Sequence, residues 1–248
     1  MPVSSFSFSR PITSYAKVQA LVGWVIRNRH SQLHRPRIKQ LGYLDIGCGF
    51  NTHEHFINLD YEWRPAIDLC WNVTKGLPFT SQSLRGVFSE HCLEHFPMPA
   101  AVTLLREVCR VLRPDATLRL VVPDGELYLR TYASRLAGDD GPRFPYEELE
   151  SADIPWTPIV SVNRIFYQDR DSLFGHRVIY DFQLLAAVLH QCGFGHVERS
   201  GFGRSRDSHL LIDSPGRRVE SLYVEATPEG TGAPASCSSL PAADQDFR

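Results

Sequence analysis

The chain has 248 residues, 43% of them hydrophobic, and a formal net charge of −2. This length and apolar content suffice for one sizeable core, so we expect a single domain with extensions. The near-neutral charge argues against a nucleic-acid partner bound through a whole-surface positive field, and no apolar run approaches the ~20 residues of a membrane-spanning helix.

The cysteines lack the paired spacing of a zinc ribbon or a disulfide framework. No C-x-x-C pair occurs among the six, and most lie in apolar stretches. Buried free thiols in a reducing cytoplasm are the better interpretation, so we expect a cytoplasmic protein. The six are Cys48, Cys70, Cys92, Cys109, Cys192 and Cys237.

A basic N-terminal extension, residues 1–40, precedes the domain. No acidic residue occurs before Asp45, and apolar spacing predicts one helix over 12–30. Such a leader is compatible with a transit peptide, with a helix in peripheral contact with a membrane, or with a cationic helix packed beside the domain. Its cations are Arg10, Lys17, Arg27, Arg29, Arg35, Arg37 and Lys39.

The central part of the chain alternates between strand and helix patterns. Short apolar runs predict strands at 43–46, 56–59, 67–73, 86–89, 117–122, 196–200 and 222–226. Helical spacing predicts helices at 99–112 and 181–192, with an insertion near 125–180 that is irregular over 138–160 and a disordered tail at 228–248. We therefore expect an α/β domain over 41–227, with ligands bound at the carboxyl ends of its strands.

The first strand ends in a glycine turn, Gly47-Cys48-Gly49, and the next ends at Asp60. Glycines let backbone N–H groups approach a ligand closely, and a carboxylate after the second strand can accept both hydroxyls of a ribose. The sequence continues Phe50-Asn51-Thr52, so the third glycine of a dinucleotide fingerprint is missing. A nucleoside cofactor without a pyrophosphate is therefore favoured.

Leu44-Asp45-Ile46-Gly47-Cys48-Gly49 resembles motif I of class I S-adenosylmethionine-dependent methyltransferases. Later segments are similar, in the same order, to a bacterial subgroup of the type 11 kind. The resemblance implies a Rossmann-like three-layer sandwich with a mostly parallel seven-stranded sheet whose last strand is antiparallel. The segments are Asn58-Leu59-Asp60, Leu77-Pro78-Phe79, Ser89-Glu90-His91-Cys92-Leu93-Glu94-His95, Arg110-Val111-Leu112-Arg113-Pro114, Leu120-Val121-Val122-Pro123-Asp124, Gly175-His176-Arg177, Tyr180-Asp181 and Ser221-Leu222-Tyr223-Val224-Glu225-Ala226.

The resemblance also implies an S-adenosylmethionine cofactor and roles for named residues. The glycine turn would hold the methionine and ribose part, and Asp45 would order that turn or receive the ammonium through water. Asp60 would hold the ribose hydroxyls, and Asn72 with the Val73 backbone would face the adenine. Glu90 and His91 would lie near the sulfonium and the entering substrate. The implied cofactor-binding residues are Asp45, Gly47, Cys48, Gly49, Asp60, Asn72, Val73 and Glu90. Candidate catalytic residues are His91 and His176 as bases and Asp124 as an orienting group; no metal ligand is predicted.

Three departures from the family pattern stand out. Only Phe50 to His55 separate the glycine turn from the next strand, so the usual first helix is shortened or absent. Asn72 replaces the usual adenine-facing Asp and would act as a neutral acceptor. Pro114-Asp115-Ala116 replaces a Pro-Gly-Gly turn, which we expect to matter little.

Two other functions stay open. His91-Cys92-Leu93-Glu94-His95 also fits the H-x-x-E-H pattern of inverted zinc proteases, with Glu107 as the conceivable third ligand. The chain could also be a non-catalytic binding or partner protein on a methyltransferase fold.

The acceptor is expected to be a small or sugar-like molecule. Its pocket is expected in the insertion and the leader, and the sequence gives no indication of oligomeric state. The aromatic and cationic candidates for this pocket are Trp156, Arg164, Phe166, Tyr167, Arg170 and Arg177.

Overall fold

Seven strands form one mixed sheet in the computed structural model, which describes residues 14–139, 143–145, 157–167 and 175–230. The sheet order is β3-β2-β1-β4-β5-β7-β6. Strands β1 to β5 are parallel, and β7 runs antiparallel to both β5 and β6. The strands are β1 Tyr43–Ile46, β2 Ile57–Asp60, β3 Leu69–Cys70, β4 Leu84–Glu90, β5 Leu112–Pro123, β6 Phe194–Arg199 and β7 Ser221–Pro228. The expected fold class, with its antiparallel last strand, is confirmed.

Six α-helices accompany the sheet in the described ranges. They are α1 Ser14–Ile26, α2 Pro36–Gln40, α3 Met98–Val111, α4 Gly125–Leu136, α5 Pro158–Tyr167 and α6 Phe182–Gln191. Helices α3 and α6 are amphipathic, and their apolar faces join the strands in the main core. The central strands are buried along nearly their whole length, as expected for parallel strands. No helix in these ranges is both long and apolar enough to cross a membrane.

The basic leader packs against the edge of the sheet. The side-chain amide of Gln32 donates to the carbonyl of Cys70 at 3.2 Å and accepts from its N–H at 2.9 Å, so it pairs with β3 as a further strand would. The Asn28 side chain accepts from the backbone N–H of Asn72 at 2.7 Å. The leader is therefore part of the folded domain surface rather than a detached arm.

One face of α1 remains exposed. Leu21 and Trp24 are 60% and 75% exposed, and Val18 and Val25 lie beside them. This apolar face does not contribute to the core, and membrane contact through α1 stays a prediction.

Residues 47–56 contain no helix, so the short connection between β1 and β2 is a turn, as its length indicated. Two elements differ from the prediction. Helix α4 begins where the insertion was expected, because Asp124 caps it by accepting from the Leu127 N–H at 3.2 Å. The third strand is only two residues long. The predicted tail beyond 230 and much of the insertion lie outside the described residues.

A buried ion-pair network fixes the connection between β6 and β7 against the sheet. Arg119 of β5 donates to both carboxylate oxygens of Asp213, at 2.8 and 2.7 Å, and to Glu225 at 2.9 Å. It also donates to the carbonyls of Gly201 and Arg204. The network anchors residues 200–213 and so positions the residues that follow them.

Candidate cofactor and catalytic site

The glycine turn after β1 has the backbone geometry that its sequence predicts. Gly47 and Gly49 have φ angles of +74° and +57°, a region that favours glycine. The N–H groups of Gly47 and Cys48 donate to the Leu59 carbonyl at 2.9 and 3.2 Å, which ties the turn to β2. A Cβ at Gly47 would overlap the Cys92 side chain. Close packing, as well as conformation, therefore requires glycine here.

Asp60 lies at the end of β2 and braces the same turn. Its Oδ2 accepts from the Gly49 N–H at 2.9 Å, and its Oδ1 accepts from the Glu62 N–H at 2.8 Å. Arg64 approaches Oδ1 at 3.7 Å. Because a carboxylate offers about four acceptor positions, Asp60 can still receive two hydroxyl donors from the cavity it lines.

A cavity of about 430 Å³ opens at the carboxyl ends of β1, β2 and β3. Its volume and mixed lining suit a nucleoside-sized ligand. The wall combines apolar and aromatic side chains with a few polar groups, among them Asp60, Trp71, Asn72, Val73, Cys92 and Phe96.

The structure corrects the role predicted for the Asn72 side chain. Its Oδ1 accepts from the N–H and the hydroxyl of Thr74, at 3.1 and 2.7 Å, and so caps the short turn that follows. Both lone-pair positions of the oxygen are then used. Asn72 therefore presents its amide NH₂ as a donor, whereas an acceptor was expected.

A second cavity of about 250 Å³ adjoins the glycine turn and shares Gly47 and His91 with the first. It contains the predicted residues Asp45, Cys48, Gly49 and Glu90. Burial raises the pKa of Asp45 well above its ordinary value, and the nearby carboxylates Glu90 and Asp60 raise it further. A ligand cation at this end would relieve the repulsion.

Residues 212–217 form the opposite wall of this second cavity and were missed by the sequence analysis. The Ser214 N–H donates to Glu90 Oε1 at 3.0 Å, and Arg217 also lines the cavity. These residues follow the segment held by Arg119. Nothing in their local sequence indicates a binding role, because a tertiary ion pair brings them there.

His91 lies where the two cavities meet and has a strained backbone. Its φ is +48°, which is uncommon for a residue with a side chain. Its Nε2 lies 2.8 Å from Ser221 Oγ, and Ser221 Oγ donates to the Arg217 carbonyl at 2.7 Å. Burial, together with the nearby Arg217, His176 and His95, lowers the pKa of His91 to about 2. The imidazole is therefore neutral at physiological pH.

Beyond His91 lies a small polar cavity of about 50 Å³. It contains Glu94, which has no solvent exposure, together with His95 and His176. Burial raises the pKa of Glu94 to about 8 and lowers that of His95 to about 4. The candidate base His176 thus lies next to His91, but it does not line either larger cavity.

The other predicted residues lie apart from the two larger cavities. Asp124 caps α4 instead of facing a ligand. Of the expected acceptor-binding residues, Arg164 borders the small polar cavity, whereas Phe166 and Arg177 are exposed. Trp156, Arg170 and the Tyr167 side chain lie outside the described residues. The proposed zinc ligand Glu107 is bonded to Arg110 at 2.7 Å and to the Leu77 N–H at 2.8 Å, so it belongs to α3 and its neighbours.

The strand order is that of the class I methyltransferase fold, and it places the glycine turn and Asp60 beside the larger cavity. Residues 48–120 match the family model of a methyltransferase domain. The match confirms the resemblance to class I S-adenosylmethionine-dependent methyltransferases of the type 11 kind, with S-adenosylmethionine as the cofactor. No curated protein matches the chain.

Several solved methyltransferase structures are similar to the chain in fold. One from Methanosarcina mazei is 18% identical, with a TM-score of 0.45 over 75% of this chain and 92% of its own. A Haloferax volcanii methyltransferase, solved with the Trm112 methyltransferase activator, is 12% identical, with a TM-score of 0.43 over 88% and 97%. The 1,6-didemethyltoxoflavin-N1-methyltransferase of Burkholderia thailandensis is 14% identical, with a TM-score of 0.43 over 88% and 82%.

Proposed function

We propose that this protein transfers the methyl group of S-adenosylmethionine to a small or sugar-like acceptor. The observation that carries the proposal is the hydrogen bond from the Gly49 N–H to Asp60 Oδ2 at 2.9 Å. It joins the glycine turn and the ribose-binding acid into one preformed unit at the edge of a cavity of nucleoside size.

The larger cavity would hold the adenosine half of the cofactor. Asp60 faces it with acceptor positions for the two ribose hydroxyls, and Asn72 offers NH₂ donors toward a ring nitrogen of adenine. Val73 and Phe96 supply apolar surface for the base.

The smaller cavity would hold the methionine half. Asp45 and Glu90 place carboxylates near the position of the ammonium group, and Arg217 can attract the carboxylate. Since the two cavities meet at Gly47 and His91, the sulfonium between the two halves of the cofactor would lie beside His91.

Methyl transfer at this position would rely mainly on alignment. The bound cofactor supplies the activated methyl group, and a site that holds both reactants in line can lower the barrier by ~7–11 kcal/mol. A histidine with a pKa of about 2 is a poor general base at neutral pH. We therefore propose that neutral His91 orients the acceptor and that the acceptor binds in a nucleophilic state.

The proposal is tested by calorimetric titration with S-adenosylmethionine and S-adenosylhomocysteine. Asp60→Ala removes two charge-assisted hydrogen bonds to ribose, each worth at least ~1.5 kcal/mol, so we expect both ligands to bind ~100-fold more weakly. Asp60→Asn keeps one acceptor oxygen and should lose ~10-fold.

The matched control is Asp115→Asn, an exposed residue near the start of β5, away from the carboxyl ends of the strands. Its affinity for both ligands should equal that of the wild type. Unchanged affinity in folded Asp60→Ala would overturn the proposed pocket. Failure of the wild type to bind either ligand would instead favour the non-catalytic function.

A further inference from the structure

A cluster of one carboxylate and two imidazole groups lies next to the proposed methyl-transfer site. It consists of Glu94, His95 and His176, whose candidate ligand atoms all lie within 4.8 Å of one another. Glu94 and His95 belong to the short helical turn after β4, and His176 belongs to the segment that leads into α6. The Glu94 carbonyl accepts from the N–H groups of Arg177 and Val178, at 2.8 and 3.2 Å, and these bonds bring the two segments together.

The Glu94 carboxylate is the unexplained group of this cluster. It is completely buried, and neither of its oxygens has a hydrogen-bond partner among the described residues. Its Oε1 lies 3.6 Å from His91 Nδ1 and 3.9 Å from His95 Nε2, beyond ordinary hydrogen-bond length. A buried polar group without a partner is costly, so this arrangement indicates that a further species completes it.

The hydrogen bonds around His91 show which of its two ring nitrogens carries the proton. Ser221 Oγ donates its only proton to the Arg217 carbonyl, so His91 Nε2 must donate to Ser221. His91 Nδ1 then presents a lone pair toward the Glu94 carboxylate. At 3.6 Å this nitrogen and Glu94 Oε1 make no hydrogen bond with each other, and a cation between or beside them would give both a partner.

His176 bonds through one ring nitrogen to a backbone carbonyl, as metal-binding histidines commonly do. Its Nδ1 lies 2.6 Å from the Ile165 carbonyl, which can only accept. The Nδ1 therefore carries the proton, and Nε2 keeps the lone pair of a neutral metal ligand.

We propose that Glu94, His95 and His176 form a binding site for one divalent transition-metal ion, with zinc as the ion that suits them best. Two neutral imidazoles and one carboxylate are ligands that zinc accepts, with a fourth position left for water. The 50 Å³ cavity has room for that water. Arg217, which also borders the cavity, is ion-paired with Glu220 at 2.7 Å, so this pair adds no net charge.

The ion would lie next to the cofactor cavities without being part of them. His91 and His95 line both the small polar cavity and the larger cofactor cavity. A metal at the cluster would fix the turn that carries His91 against the segment that carries His176. Of the protease-like set His91, His95 and Glu107, this site keeps only His95, and Glu94 and His176 take the other two places.

Titration of the chelator-treated, full-length protein with zinc chloride tests the site directly. We expect one zinc ion per chain, a rise in the midpoint of thermal unfolding with zinc, and the visible absorption of tetrahedral cobalt when cobalt(II) replaces zinc. Glu94→Gln and His176→Gln should each weaken zinc binding by more than ~100-fold, because loss of a ligand costs more than loss of a group that only hydrogen-bonds a ligand.

The matched control is His196→Gln, which removes an exposed histidine that lies 3.4 Å from Glu198. It should bind zinc like the wild type. Absence of saturable binding, or equal binding by wild type and folded Glu94→Gln, would overturn the site. If only His196→Gln weakens zinc binding, the ion binds at the surface, and the proposed site is wrong as well. None of these readouts depends on S-adenosylmethionine.

Discussion

Substitution of Arg119 tests whether the buried ion-pair network stabilises the domain and positions the residues that line the smaller cavity. Its side chain is completely buried, and the partner carboxylates Asp213 and Glu225 are 2% exposed. Arg119→Met would leave both carboxylates buried without their cation. Breaking a buried ion pair from one side typically costs ~3–5 kcal/mol, which is a large share of the ~5–15 kcal/mol that stabilises an ordinary domain.

The assay is urea unfolding of Arg119→Met and of a surface control. Arg130→Met removes a cation that is 79% exposed and pairs with Glu126, so it should change the free energy of unfolding by less than ~1 kcal/mol. We expect Arg119→Met to lower the unfolding midpoint with an unchanged denaturant slope. It should also weaken S-adenosylmethionine binding, since the network supports Ser214 opposite Glu90. If Arg119→Met loses no more free energy of unfolding than the control, the ion-pair network does not hold residues 200–217 in place.

Two further predictions concern the glycine turn. Because the folded-state pKa of Asp45 is raised, its stability contribution is complete below the ordinary value of 3.8 and is lost as pH rises through the folded-state pKa. Asp45→Asn should therefore gain stability relative to wild type as urea unfolding is repeated from about pH 4 to about pH 8, and a constant difference would contradict the shift. Gly47→Ala combines left-handed strain with overlap at Cys92, so it should lower the free energy of unfolding by ~2–5 kcal/mol and abolish cofactor binding. Gly203→Ala is the control, because Gly203 has φ +67° but open space around it. It should lower the free energy of unfolding by only ~1–2 kcal/mol and bind the cofactor normally. Equal losses in stability and in calorimetric affinity for both variants would show that the contact with Cys92 is unimportant.

The parts of the site that are local in sequence could be predicted from it. Each of these parts lies at the end of a strand, and parallel strands end at the same edge of a sheet. They are the glycine turn after β1, Asp60 at the end of β2 and Glu90 at the end of β4. The helix α4 was missed because Pro123-Asp124-Gly125 has the composition of a turn, although Asp124 is also a good helix cap. The acceptor orientation of Asn72 was wrong because the competing donors come from its own neighbour Thr74.

The parts that depend on tertiary contacts could not be predicted. Ser214 and Arg217 reach the cofactor cavity only because Arg119, almost a hundred residues earlier in the chain, holds the preceding segment. His176 was proposed as a base from its motif alone. Its position beside Glu94 and His95 results from the bonds between the Glu94 carbonyl and the next two residues, which no local pattern reveals.

The missing first helix explains why two distant segments surround the cofactor cavities. With only a turn after β1, no helix covers the glycine loop in the described chain. The leader supports the larger cavity through the bond from the Asn72 N–H to Asn28, and the β6–β7 connection reaches the smaller cavity through a bond from Asn51 to Ser214 Oγ at 3.2 Å. The β6–β7 connection therefore provides a wall of the smaller cavity, whereas the leader holds Asn72, which lines the larger one. The leader and the β6–β7 connection are accordingly the places where changes in sequence should alter cofactor binding without touching the glycine turn.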